Sequence, residues 1–251
     1  MHATHSPSLE WFWGVSSSGV TIQENLARDE ALLEWCEQQG TSALRIWESP
    51  KHAVVLGASS RLARDVRVET CAADGVPIGR RASGGGTVLV GPGALNFSVV
   101  LPIASNPALA AVDTAQTWIL EQSAQQINVM DGCIRVQGSG DWTRADRKIA
   151  GSAQRRLKTH VMVHASVLND FDLEGIFRYL REPERQPKYR EGRSHEAFLT
   201  NLQVDRRALI AAIRGAWIPP DAGADLSDPF EARVRELVST KYGDPRWVAR
   251  F

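Results

Sequence analysis

Two clusters of residues in this 251-residue chain have the types and spacing that chemistry on an anion requires. The first lies in "RRASGGGTVLVGPGALNFSVVLP", where Arg80 and Arg81 lead into three consecutive glycines, Gly84, Gly85 and Gly86. Glycine lacks a Cβ, so these positions can take positive φ and let a ligand approach bare backbone N–H groups. The β-branched runs on either side, Thr87 to Val90 and Leu95 to Leu101, read as strands. A glycine loop between strands with arginine at its entry reads either as a cradle for something anionic or as a plain turn. The second cluster is "GSGDWTRADRKIAGSAQRRLKTHVMVHASVL", in which Lys148 precedes the small residues Gly151, Ser152 and Ala153. A lysine over a glycine-lined pocket can neutralise a carboxylate and a phosphate together as one attacks the other. Taken alone, the same lysine reads as a solvated side chain at a strand edge.

Other reactive residue types carry less. His160 and His164 are four apart on one face of a strand, with no third ligand at metal-site spacing, so no metal site is expected. The "GSG" at 138–140 lacks the rest of a dinucleotide fingerprint, and no Gly-Lys-Ser/Thr follows the triple glycine, which excludes a Walker P-loop. Tyr189, Arg190, Arg193 and His195 in "QPKYREGRSHEAFLTNL" form either a solvated face or a clamp for a phosphate or a docking carrier. Three widely spaced cysteines, Cys36, Cys71 and Cys133, fit neither a disulfide framework nor a Cys-x-x-Cys site, and a reducing cytoplasm is the simplest home. Cys36 falls on the apolar side of a helix and Cys71 near a helix end. Cys133 reads either as the start of a buried strand or as a nucleophile.

The elements that must position these residues follow from pattern. Thr21 and Glu24 have capping-box spacing, and the helix they open stops at Gly40. "ALRIWES" and "HAVVLG" read as strands, and Asn106-Pro107 predicts the start of a helix running to about Asn128. Residues 134–168 return to strands with a turn near Lys158 and Thr159, the prolines at 183 and 187 impose an ordered loop, and Asp228-Pro229 opens a last helix. The order predicts an α+β (mixed α/β) fold, a central mixed sheet with flanking helices, in one domain spanning 1–251. With 29 Lys and Arg balancing 29 Asp and Glu, no global field recruits nucleic acid or anionic membrane. No signal sequence or membrane-spanning stretch is read, so a cytoplasmic, soluble protein is expected.

Taken in order, "NLARDEALL", "LRIWES" with "VVLG", "RRASGGGTV" with "LNFS", "RKIAGSAQRR" and "HASVL" resemble the lipoate–protein ligase and octanoyltransferase family, relatives of the biotin–protein ligases. The resemblance covers roughly 21–172, with a weaker echo in "KYGDPRW". It implies a catalytic domain of the biotin/lipoate ligase kind with a tunnel for an eight-carbon acyl chain, walled in part by Val88, Val90 and Leu95. Arg81, Ser83, Gly84, Gly85 and Gly86 match the loop that holds an acyl-adenylate. Lys148 matches the family lysine that contacts the activated carbonyl, with Asp141 at the acidic position upstream and Gly151, Ser152 and Ala153 beside it. His164 matches the histidine that opens the family's later strand. The implied reaction attaches a lipoyl or octanoyl group to the lysine of a carrier domain. As a ligase it takes ATP and Mg²⁺ with lipoate or octanoate. The implied carriers are the lipoyl domains of 2-oxoacid dehydrogenases or glycine cleavage H-type proteins, with an accessory subunit or an acyl carrier protein as further partners.

Three departures are visible. Val90 and Gly91 stand where the ligases usually carry His-Asp, Ala94 stands where they commonly place asparagine, and no separate accessory domain is read. The Gly-Arg-Gly-Arg loop of biotin ligases is absent. In one variety of octanoyltransferase a cysteine upstream of the lysine carries the acyl group as a thioester, and Cys133 lies fifteen residues before Lys148, near that spacing. A non-catalytic relative that only binds lipoyl groups is the remaining reading.

Overall fold

The computed structural model describes residues 11–15, 20–184, 186–219 and 228–251. Helix α1 (Ile22–Gln39) is set by local chemistry: Thr21 Oγ1 accepts from the Glu24 N–H, and the Glu24 carboxylate accepts from the Thr21 N–H. It ends where Gly40 turns left-handed at φ 68°. Strands β1 (Trp11–Val15), β2 (Ser42–Trp47), β6 (Ala94–Pro102), β7 (Arg135–Gln137), β8 (Asp141–Arg144), β9 (Arg147–Arg156) and β10 (His160–Leu168) form one sheet in the order β1-β2-β6-β10-β9-β8-β7. β1 runs parallel to β2 and the other neighbours pair antiparallel, so the sheet is mixed as expected. A smaller sheet holds β4 (Ile78–Arg80), β3 (Ala53–Leu56) and β5 (Val88–Val90), in the order β4-β3-β5.

The helix predicted from Pro107 to about Asn128 is two elements. Asn106 does cap the Ala108 N–H with Pro107 in the first position, but only a 3₁₀ turn (Pro107–Leu109) follows. Helix α4 (Val112–Asp131) then starts afresh after an extended Ala111. Distant donors explain the break. Arg156 Nη2 takes the carbonyls of Leu109 and Ala110 at 2.6 and 3.2 Å, and Thr114 Oγ1 takes that of Ala108 at 2.6 Å, so acceptors that a continuous helix needs are already used.

Apolar surface is buried on both faces of the large sheet. Leu44, Phe97, Val99 and Val163 pack with α4 and with α7 (Arg206–Trp217), an amphipathic helix that the sequence reading did not single out. On the other face Val100 and Met162 pack with α1 and α8 (Asp228–Leu237). The small sheet is covered by α5 (Leu173–Tyr179) and α6 (His195–Phe198). Short helices α2 (Leu62–Asp65), α3 (Val68–Ala73) and α9 (Pro245–Val248), with a π-helical turn at Val238–Tyr242, complete the described elements. No helix among them is long and apolar enough to cross a membrane.

Candidate functional site

A cavity of about 880 Å³ opens between the small sheet and strands β6, β9 and β10. Arg81 leaves β4 and turns back into the loop it introduces: Nε donates to Ser83 Oγ at 3.0 Å, and Nη2 donates to the carbonyls of Gly84 and Gly86 at 2.5 and 2.8 Å. No carboxylate among the described residues pairs with it. Burial pushes its pKa down to about 10, so it stays cationic at neutral pH. Of the three glycines only Gly85 adopts positive φ, at 82°. A Cβ there would sit 2.9 Å from Arg81 Nη2 and 3.3 Å from Ala153 Cβ, while Gly84 and Gly86 face open space. The expectation that all three exploit positive φ is therefore corrected to one. Gly57 at the end of β3 is the second glycine that the loop demands, because a Cβ would lie 2.0 Å from the Gly85 carbonyl oxygen.

His164 on β10 approaches the same loop, its Nε2 lying 2.6 Å from Ser83 Oγ. Burial, and then the charge of Arg81, push its pKa down to about 3, so the imidazole is neutral. The folded state thus resists a proton that the unfolded chain takes up near pH 6.5. Stability is fully present above that value and falls as pH drops from 6.5 toward 3, by up to ~1.4 kcal/mol per pH unit. Thermal melting between pH 7 and 5 should show this slope, and His164→Asn should flatten it.

Lys148 on β9 reaches Asp141 on β8, with Nζ 2.8 Å from Oδ1. The other carboxylate oxygen accepts from Tyr189 OH at 2.7 Å. Gly151 makes room for this, since a Cβ there would stand 2.9 Å from Lys148 Nζ. Ser152 Oγ is held by the Gly140 carbonyl and by Gln116 Nε2 at 2.5 and 2.6 Å, which fastens β9 to the turn before β8. The arrangement places two cations, Arg81 and Lys148, over one cavity whose walls include Val55, Val88 and Leu89. It can offset charge on a phosphate or a carboxylate while an apolar chain lies alongside.

Of the residues singled out from sequence, Arg81, Gly85, Gly86, Lys148, Gly151, Ser152, Ala153, His164, Arg190 and His195 line the cavity. Ser83, Gly84 and Asp141 stand behind it as partners of Arg81, His164 and Lys148. Val88 and Val90 are walls as expected, but Leu95 packs into the core beyond the sheet and Asn96 lines the cavity instead. Cys133 is exposed between Gly132, which ends α4, and strand β7. Burial resumes only at Ile134, so Cys133 does not start a buried strand, and it is not among the cavity-lining residues. Cys36 and Cys71 are buried, and burial pushes the Cys36 thiol up to about 12. Of the two histidines read on one face, His160 is spent on the Thr41 carbonyl at 3.1 Å. Among the described residues no three His, Cys, Asp or Glu side chains gather as a metal site.

Two supports of the site were not legible in the sequence: Glu30 altogether, and the bracing of Arg80, which the sequence places only at the loop's entry. Glu30 on α1 accepts from Lys241 Nζ at 2.6 Å and Tyr242 OH at 2.9 Å, and lies 3.3 Å from Arg155, whose Nη1 donates to the Ala82 carbonyl at 2.9 Å. Arg80 is fully buried, donating to the carbonyls of Gly57, Ser60 and Val248 at 2.8, 2.7 and 2.7 Å, while Trp247 Nε1 donates back to the Arg80 carbonyl. The "KYGDPRW" segment thereby braces the glycine loop.

Residues 21–211 match the lipoyl protein ligase A/B catalytic domain. A protein of Aeropyrum pernix assigned as lipoate-protein ligase A is 30% identical over 241 residues, covering 91% of this chain and 88% of that protein. The octanoyltransferase LipM of Carboxydothermus hydrogenoformans is 24% identical over 260 residues, covering 91% and 94%. Among solved structures, the bi-partite lipoate protein ligase of Thermoplasma acidophilum, studied with its E2 lipoyl domain, superposes with a TM-score of 0.77 at 22% identity, covering 96% of each chain. Glycine loop, lysine strand and sheet order thus meet in a chain that belongs to the lipoyl protein ligase A/B catalytic-domain family and is an enzyme.

Proposed function

We propose that this enzyme activates lipoate or octanoate with ATP as an acyl-adenylate and passes the acyl group to the lysine of a lipoyl carrier domain. The observation that carries the reading is a single cavity holding a buried arginine with no carboxylate partner among the described residues and a lysine fixed 2.8 Å from Asp141. A carboxylate is a poor electrophile until it is joined to phosphate, and joining two anions needs fixed cations on both. Arg81 and Lys148 supply them, while neutral His164 adds no competing charge beside Arg81. The apolar wall of Val55, Val88, Leu89 and Val90 takes the acyl chain. Mg²⁺ would ride on the triphosphate with its own waters, which suits a site that offers no cage of protein ligands among the described residues. The carrier would be a lipoyl domain of the kind studied with the Thermoplasma ligase, with an accessory subunit as a second partner.

The second reading, transfer through a thioester on Cys133 from an acyl carrier protein, is favoured by the exposure of that thiol and by the likeness to LipM. A single experiment separates the two. Purified protein is incubated with a lipoyl domain and either octanoate with ATP or octanoyl carrier protein without it, and the acceptor is weighed by intact-mass spectrometry. The ligase reading expects modification only with ATP and a Cys133→Ser variant within about twofold of wild type. A hydroxylamine-sensitive octanoyl adduct on Cys133, lost in Cys133→Ser together with turnover, would establish the thioester route instead.

A further inference from the structure

His195 is a titratable group in the cavity wall that acyl activation leaves without a task. It opens α6, which is stitched to the lysine strand: Leu199 bridges Lys148 in parallel, and the Thr200 N–H donates to the Lys148 carbonyl at 3.0 Å. The ring is held at two places and its backbone at a third. Nδ1 lies 3.2 Å from Glu182 Oε1, the same oxygen accepts from the His195 backbone N–H at 3.0 Å, and Phe177 stacks at 6.2 Å between centroids with a 16° tilt. Arg190 Nη2 holds the other Glu182 oxygen. A carboxylate at Nδ1 assigns the ring proton there and leaves the lone pair on Nε2.

Other candidate proton acceptors in the wall are engaged. Asp29 pairs with Arg45 at 2.6 Å, Asp65 and Glu184 pair with Arg64, and His164 gives its Nε2 to Ser83. Burial lowers the His195 pKa, Arg190 and Lys148 lower it further, and Glu182 raises it, so the imidazole is neutral at pH 7 with a partner ready to steady its charged form. The groups that face it are Glu182 from the loop after α5, Arg190 from a second 3₁₀ turn (Lys188–Arg190) and Lys148 from β9.

The amine of a carrier lysine is protonated at neutral pH and cannot attack in that form. We infer that His195, oriented by Glu182, is the general base that removes the proton from the attacking lysine nitrogen. The inference rests on the acyl-transfer reading above. His195 Nε2 takes one proton from the ammonium and returns it to water. The freed amine nitrogen then bonds to the acyl carbon, the bond from that carbon to its leaving atom breaks with the electron pair going to the leaving group, and the second proton that amide formation sheds leaves to water.

The test is single-turnover transfer from preformed octanoyl-adenylate to a lipoyl domain, read by mass from pH 6 to 10, with an octanoyl thioester as donor where the adenylate is refused. His195→Gln should transfer about a hundredfold slower at pH 7. The deficit should shrink toward pH 10, where the lysine amine, pKa about 10.4, arrives unprotonated. Added imidazole should restore part of the rate to His195→Ala. Glu182→Gln keeps an acceptor for the backbone N–H, and it should lose rate in the same pH-dependent way even if the histidine variants fail to fold. A His195→Gln rate within threefold of wild type at pH 7, or a deficit equal at every pH and indifferent to imidazole, would overturn the assignment. A wild type inert toward both donors would instead overturn the acyl-transfer reading and the base with it.

Discussion

Lys148→Ala is expected to lose acyl transfer by about a thousandfold while the protein stays folded. The ammonium lies in a part-exposed ion pair with Asp141, and such pairs contribute only ~0–1 kcal/mol to stability. Asp141 keeps its hydrogen bond from Tyr189 after the change, so no buried carboxylate is stranded. On the proposed reading the same charge faces the negative charge that develops in the transition state, where a single positioned donor is worth ~3–4 kcal/mol. Transfer to a lipoyl domain measured by intact mass, beside a melting curve, checks both halves. Ordinary turnover in this variant would remove Lys148 from the chemistry, and a collapsed melting curve would make it a folding residue.

Gly85→Val should abolish binding of a stable acyl-adenylate analogue, with at least a hundredfold weaker affinity by calorimetry. At φ 82° a β-branched residue is strained by ~1–3 kcal/mol, and its Cβ would press on Arg81 Nη2 at 2.9 Å and on Ala153 at 3.3 Å. The displaced group is the guanidinium that holds the carbonyls of Gly84 and Gly86, so the loop moves as a unit. Gly84→Ala and Gly86→Ala, which meet nothing within 4 Å, should bind nearly as wild type and serve as the control. Unchanged affinity in Gly85→Val would reduce the loop to a turn.

What could be read from sequence was what short-range chemistry decides. Thr21 with Glu24, Gly40, and the strand runs about the triple glycine all fell where their residue types put them, because each is fixed within a few positions along the chain. Asp141 was placed only by the resemblance, and its pairing with Lys148 came from the structure, where one hairpin joins β8 to β9. Leu95 was misplaced for a physical reason: β6 is buried on both faces, so no polar alternation tells the cavity side from the core side. The break before α4 depends on Arg156, and the bracing of Arg80 on residues 247 and 248, contacts that no local pattern encodes. Of the two readings of Cys133, the buried strand start fails because the left-handed Gly132 leaves the chain outside until Ile134.

The bracing of Arg80 bears on how the protein is made. A ribosome releases residues 80–86 long before residues 247 and 248, and until those arrive the buried guanidinium lacks the Val248 carbonyl and the strand lacks the Trp247 indole. A nascent chain stalled before that point should carry its sheets with the glycine loop still unset. Competence for ligand would then appear only once residues 247 and 248 have emerged, in a single step, as α9 docks.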